Sequence, residues 1–141
     1  MLRIITGLAA CALVLACSGG PAASPISATV KEWQISLSAT NIKAGAVTFN
    51  INNDGDKDHE FVVVRTDLAA DALPTTGTGE VDEEGTGFDA IGELEDIKAG
   101  TSANPVTLTL TPGKYVVFCN VYAEDLAHYQ KGMRLAFTVS S

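Results

Sequence analysis

His59, Cys119, His128 and Met133 are the residues of this 141-residue chain whose types and order could do chemistry together. The chain has only 2 His, and both belong to that set. Its last three members follow the pattern Cys-x8-His-x4-Met, three ligand types in one short stretch. A thiolate and two imidazoles in a near-trigonal plane, with a weak axial thioether, suit copper in both of its oxidation states. Zinc is the rival metal, but its structural sites prefer four Cys or His ligands and a thioether is a poor fourth. Asp54-x-Asp56-x-Asp58 imitates the start of a calcium loop, yet His59 takes its glycine position and Arg65 its terminal glutamate position. A copper oxidase or reductase needs a second, open copper with more histidines than this chain can spare. No Ser-His-Asp or Cys-His arrangement leaves the set intact either. The chain is therefore expected not to be an enzyme.

The elements that must position these residues read as strands. Trp33, Ile35 and Leu37 alternate with polar residues between Thr29 and Ser38, the period-2 mark of a half-buried strand. Val47, Phe49 and Ile51 repeat it up to the turn sequence Asn53-Asp54-Gly55. Phe61 to Val64 is apolar on both faces, as a central strand would be. Val106, Leu108 and Leu110 alternate with threonines, Pro112-Gly113 turns the chain into Tyr115–Cys119, and Leu135, Phe137 and Val139 close it. Ile91 to Ile97 adds a further strand, and Ala123 to Tyr129 has room for one helical turn. The expected fold is an all-β, antiparallel Greek-key sandwich of about seven strands. In that fold His59 opens the central strand, Cys119 ends a later one, and the loop that follows brings His128 and Met133 to the same pole. Cys119 shares its strand face with Tyr115 and Val117, which points it inward.

The first residues read as a leader. Arg3 precedes an apolar run, Ile4 to Ala16, too short to span a bilayer and of the length of a signal-peptide core. It ends at Cys17, followed by Ser18-Gly19-Gly20-Pro21, a flexible tether. The stretch resembles a bacterial lipoprotein signal, in which the cysteine becomes the lipidated N-terminus; an ordinary secretory signal is the alternative. The boundaries are expected at 1–16 for the signal, 17–28 for the lipidated cysteine and tether, and 29–141 for the folded domain. With Cys11 removed and Cys17 lipidated, Cys119 is the one thiol left in the domain. Export usually means an oxidising compartment, and thiolate binding to a metal is one way to protect such a thiol.

Charge excludes some partners and suggests others. With 17 Asp+Glu against 9 Lys+Arg and a net charge of −8, the chain lacks the basic stripe a nucleic-acid binder needs. Between Asp67 and Asp96 lie ten acidic residues and no Lys or Arg, punctuated by glycines. That stretch is expected to be a long surface loop, either simply solvated or a steering surface for a basic partner.

Three segments carry a resemblance beyond the ligands themselves. They are NDGDKDHEF from Asn53 to Phe61, PGKYVVFC from Pro112 to Cys119, and HYQKGM from His128 to Met133. With them the chain resembles the cupredoxins, the plastocyanin and azurin superfamily, over essentially its whole mature length. The resemblance implies one type 1 copper ion, held equatorially by His59, Cys119 and His128 and axially by Met133, with Tyr115 as a structural corner residue. Two departures stand out. The Cys-to-His gap is longer than in plastocyanins and has the length seen in the type 1 domain of copper nitrite reductases. Glu60 stands where many plastocyanins have Asn, which bears on the hydrogen bonds that tie the ligand loops together.

Three functional classes follow. The favoured one is a membrane-tethered, monomeric carrier of single electrons outside the cytoplasm, with redox proteins such as a basic cytochrome as partners. The second is a copper-binding protein for delivery or storage. The third is an adhesion or assembly module whose metal set is accidental. In the first class His128 is expected to be the surface-reaching ligand, framed by Tyr122, Leu126, Ala127 and Tyr129.

Overall fold

The computed structural model describes residues 25–141, so the leader, Cys17 and most of the tether lie outside the described residues. Eleven strands follow in chain order: β1 (Ile26–Lys31), β2 (Gln34–Leu37), β3 (Asn41–Lys43), β4 (Gly45–Asn53), β5 (His59–Thr66) and β6 (Phe88–Ile97), then β7 (Val106–Leu110), β8 (Gly113–Phe118), β9 (Tyr122–Ala123), β10 (Leu126–Ala127) and β11 (Arg134–Ser140). They build a four-stranded sheet in the order β2-β1-β4-β7, a five-stranded sheet in the order β3-β11-β8-β5-β6, and the small hairpin β9-β10. The all-β sandwich expected from the alternation is present, with more strands than seven.

Four details differ from the expectation. The run Thr29–Ser38 is a hairpin rather than one strand: β1 and β2 pair antiparallel with Lys31 opposite Gln34. The alternation changes phase across the two-residue turn, with Ile26, Ala28 and Val30 facing the core before it and Ile35 after it. The sheets are mixed, since β1 runs parallel to β4 and β3 parallel to β11. A parallel pair needs a crossover, and the chain supplies one by visiting the other sheet as β3 between β2 and β4. Ala123–Tyr129 makes no helical turn. Glu124 and Asp125 both adopt left-handed φ, 54° and 58°, which folds the chain into the β9-β10 hairpin instead. The first strand also begins at Ile26, a few residues before the expected domain boundary at Thr29.

The main core lies between the two sheets. Phe49 sits at its centre, with ring centroids 5.4 Å from Phe61 and 6.4 Å from Phe137. Tyr115 stacks on Phe137, and its hydroxyl donates to the Thr111 carbonyl at 2.7 Å and accepts from the Thr111 amide at 3.1 Å. That is the corner role the resemblance implies. A second apolar cluster lies on the outer face of the five-stranded sheet, where Leu73 and Val81 cover Val62, Val64, Val116, Phe118 and Tyr129. Leu73 and Val81 come from the acidic stretch. Its first half is therefore a covering loop, pinned by a bridge between Thr75 and Val81, and its second half is edge strand β6.

Candidate metal centre

The strand registers bring the four expected residues to one pole. Phe118, the last residue of β8, pairs with Val62 of β5 on one side and Arg134 of β11 on the other. Cys119 therefore emerges beside the start of β5, where His59 sits, and the start of β11, which Met133 precedes. The Cys119 amide donates to the Met133 carbonyl at 3.0 Å, and the Met133 amide donates to the His128 carbonyl at 3.2 Å. All four residues are buried.

Three donor atoms converge there. His59 Nδ1 lies 3.1 Å from His128 Nδ1, and Cys119 Sγ lies 3.8 Å and 3.4 Å from those two nitrogens. This one thiol and two imidazoles form the group of His, Cys, Asp or Glu side chains that could hold a metal ion among the described residues. The donor set is soft and small, which fits copper and leaves little for a hard cation. Met133 is buried beside Cys119 in the same core cluster.

The protein environment keeps the set neutral until a metal arrives. Burial pushes the Cys119 thiol up to about 11, against the amides of Glu60 and Val121, which favour the thiolate. Burial and then the neighbouring His59 push His128 down to about 4. Burial also lowers His59, offset in part by the Glu32 carboxylate. A metal would thus displace one proton, from sulfur, and meet two neutral imidazoles, each with one ring nitrogen able to offer a lone pair.

The surrounding loops are tied by groups the sequence reading partly missed. The Glu60 amide donates to Cys119 Sγ at 3.3 Å, so the link between the two ligand strands is a backbone bond that does not depend on the Glu60 side chain. Buried Asn53 donates from Nδ2 to the carbonyls of Lys57 and Ile97, at 2.8 and 2.9 Å, and its Oδ1 accepts from the Gly55 amide. Asn120, the residue after Cys119, accepts from the Val81 amide at 2.7 Å and donates to Glu83 at 2.8 Å, fastening the covering loop to the site. Glu32 and Trp33, in the β1-β2 turn, reach the site as well. The Trp33 ring lies edge-on to His128, with centroids 5.0 Å apart. Two signals marked a turn inside the supposed Thr29–Ser38 strand: its length, about twice the usual 5–6 residues, and Val30, which is out of phase with Trp33, Ile35 and Leu37.

The expected frame of the surface-reaching ligand changes. His128 is 1% exposed, and Ala127 and Tyr129 are buried too. Tyr129 turns to the outer cluster, where its hydroxyl donates to the Ala70 carbonyl at 2.7 Å. Tyr122, 41% exposed, and the half-buried Leu126 are what remain of the patch at the surface, with Trp33 over the histidine ring.

This architecture recurs in solved structures. An auracyanin from the photosynthetic bacterium Roseiflexus castenholzii matches with a TM-score of 0.57 and 21% identity, over 86% of this chain and 100% of its own. Auracyanin A of Chloroflexus aurantiacus, described as a "blue" copper protein, matches with a TM-score of 0.53 and 19% identity, over 83% of this chain and 100% of its own. The fold is the cupredoxin fold. A laccase from Pediococcus acidilactici shares this cupredoxin fold at a TM-score of 0.53 and 12% identity, but the match takes up only 30% of the laccase. No protein-family model and no curated protein matches the sequence. Within the cupredoxin fold, the His-Cys-His group occupies the pole where β5, β8 and β11 meet.

Proposed function

We propose that this protein is a type 1 copper protein that carries single electrons between redox proteins outside the cytoplasm, held at a membrane by lipid on Cys17. The observation that carries the reading is the convergence of His59 Nδ1, His128 Nδ1 and Cys119 Sγ in a buried place, with Met133 beside them. Copper bound there would supply a one-electron couple between Cu(I) and Cu(II). The chain's residues hold the donors in place before and after transfer, because each comes from a strand end or a loop fixed by backbone bonds. Burial of all four expected ligands also weighs against rapid metal exchange, and so favours a carrier over a delivery or storage protein. Both histidines of the chain belong to the set, so none is left to hold a second, open copper, which favours a carrier over an oxidase.

Tethering rests on the sequence of the leader, since more than one acyl chain gives stable anchoring and a lipidated cysteine supplies that. Partner choice rests on charge. The folded domain is acidic, and such a field attracts a basic redox partner in a way that salt weakens. The partner would dock near Trp33, whose ring lies against His128, and near Tyr122 and Leu126 of the same ligand loop.

The deciding experiment is the visible absorption spectrum of the mature domain titrated with Cu(II). An intense thiolate-to-copper band at one equivalent is the expected result. A weak, featureless spectrum would overturn the reading.

A further inference from the structure

Glu32 stands in the β1-β2 turn, 27 residues before His59 in sequence, and its Oε1 accepts from His59 Nε2 at 3.2 Å. The same carboxylate accepts from the Lys57 amide at 2.7 Å and the Asp56 amide at 3.2 Å. Its side chain is 23% exposed, whereas the His59 side chain is fully buried. The carboxylate is seated closely: a Cβ on Gly55 would lie 2.6 Å from Oε2 and 2.7 Å from Oε1. The turn and the loop before β5 are thus shaped around this one side chain.

A carboxylate accepts only, so His59 must carry its proton on Nε2, and that leaves the Nδ1 lone pair facing Cys119 and His128. An anionic acceptor on the far nitrogen also makes an imidazole a stronger donor at the near one. A stronger donor favours the more highly charged Cu(II) over Cu(I). We propose that Glu32 is a positioning residue for the copper site: it fixes the His59 tautomer and ring, and it lowers the reduction potential through that imidazole. The inference rests on the copper reading above.

The test is Glu32→Gln, which keeps an acceptor oxygen of the same reach but removes the charge. A hydrogen bond to a charged group is worth roughly twice a neutral one. The Cu(II)/Cu(I) balance should therefore move about tenfold toward Cu(I), a rise of about 59 mV for a one-electron couple. Asp58→Asn is the control. That carboxylate is exposed, is held by Lys98 at 2.8 Å and the Ala99 amide at 3.0 Å, and makes no hydrogen bond to His59. It should shift the potential much less. The metal-free protein gives an independent reading, because nitrogen NMR should show the Nε2–H tautomer of His59 in wild type and a mixture in Glu32→Gln. If Glu32→Gln keeps wild-type colour and shifts the potential no more than Asp58→Asn does, the inference is overturned. An unchanged tautomer in the variant would also overturn it. Absence of the intense band in wild type would instead remove the copper reading itself, which keeps the two failures apart.

Discussion

On one face of β8, Tyr115, Val117 and Cys119 look into a core closed by a second sheet; on the other, Val116 and Phe118 look into a cluster closed by the covering loop. The two sides are built differently. The inner one is lined by strands whose hydrogen bonds cross from β1 to β7, whereas the outer one depends on Leu73 and Val81 reaching down from a segment with little secondary structure of its own. The ligand loop divides in the same way. Met133 packs inward and Tyr129 outward, so the segment that carries His128 is held from both faces. The inner side supplies donors and shape, and the outer side supplies cover.

Substitutions on each side can break or sharpen that contrast. Cys119→Ser should have the largest effect, abolishing the intense visible band while far-UV circular dichroism still shows a folded sandwich; retention of the band would contradict thiolate ligation. Next, Phe49→Ala at the centre of the inner core should cost about 3–5 kcal/mol, because strands on both sides prevent the cavity from closing. Leu73→Ala should cost about 2 kcal/mol, since a loop can settle into the space, and should leave the spectrum unchanged. Chemical denaturation of both variants checks the difference, and equal losses would erase the distinction.

Acid should act on the inner side as well. His128 and His59 are pushed below the usual histidine range by burial, so the unfolded chain takes up protons before the folded one does. Their contribution is fully present above about pH 6.5 and is lost as pH falls toward about 4. The midpoint of denaturation of the metal-free protein should drop across that window. The smallest effect is expected for Tyr129→Phe, which removes the hydroxyl bonds to Ala70 and Leu73. It should cost about 1 kcal/mol and leave copper binding intact.

The inner side was legible in the sequence, and the outer side was not. Alternating residues such as Val47, Phe49 and Ile51 report one buried face directly, and the Cys-x8-His-x4-Met pattern with a second His at a strand start names a ligand set. Cover by a loop leaves no period to read. Val81 stands alone between Glu80 and Asp82, Leu73 lies in an alanine-rich stretch before Pro74 with no strand period, and the burial of both depends on tertiary placement. The β1-β2 turn was hidden for another reason: Glu32 and Trp33 are not turn-forming types, and Trp33, Ile35 and Leu37 alternate cleanly enough to draw the turn into one apparent strand, although Val30 is out of phase with them. With the turn went Glu32 and its contact with His59. His128 was read as surface-reaching because it lies in a loop, but loop position does not fix exposure when a ring from another turn lies against it.

The chain separation of the two ligand strands also sets an order of assembly. Cys119 and His128 are nine residues apart, and His59 and Cys119 are 60 apart. Closing the longer loop costs about 1.7 kcal/mol more in chain entropy than closing the shorter one. The loop half of the site can therefore gather while β5 is still unpaired. His59 joins only when β5 docks against β8, a non-local pairing of the kind that makes β-sandwiches fold slowly. A metal ion that meets the unfolded chain would first find the thiol, His128 and Met133 within one short segment, and the last ligand would arrive with the closing of the five-stranded sheet.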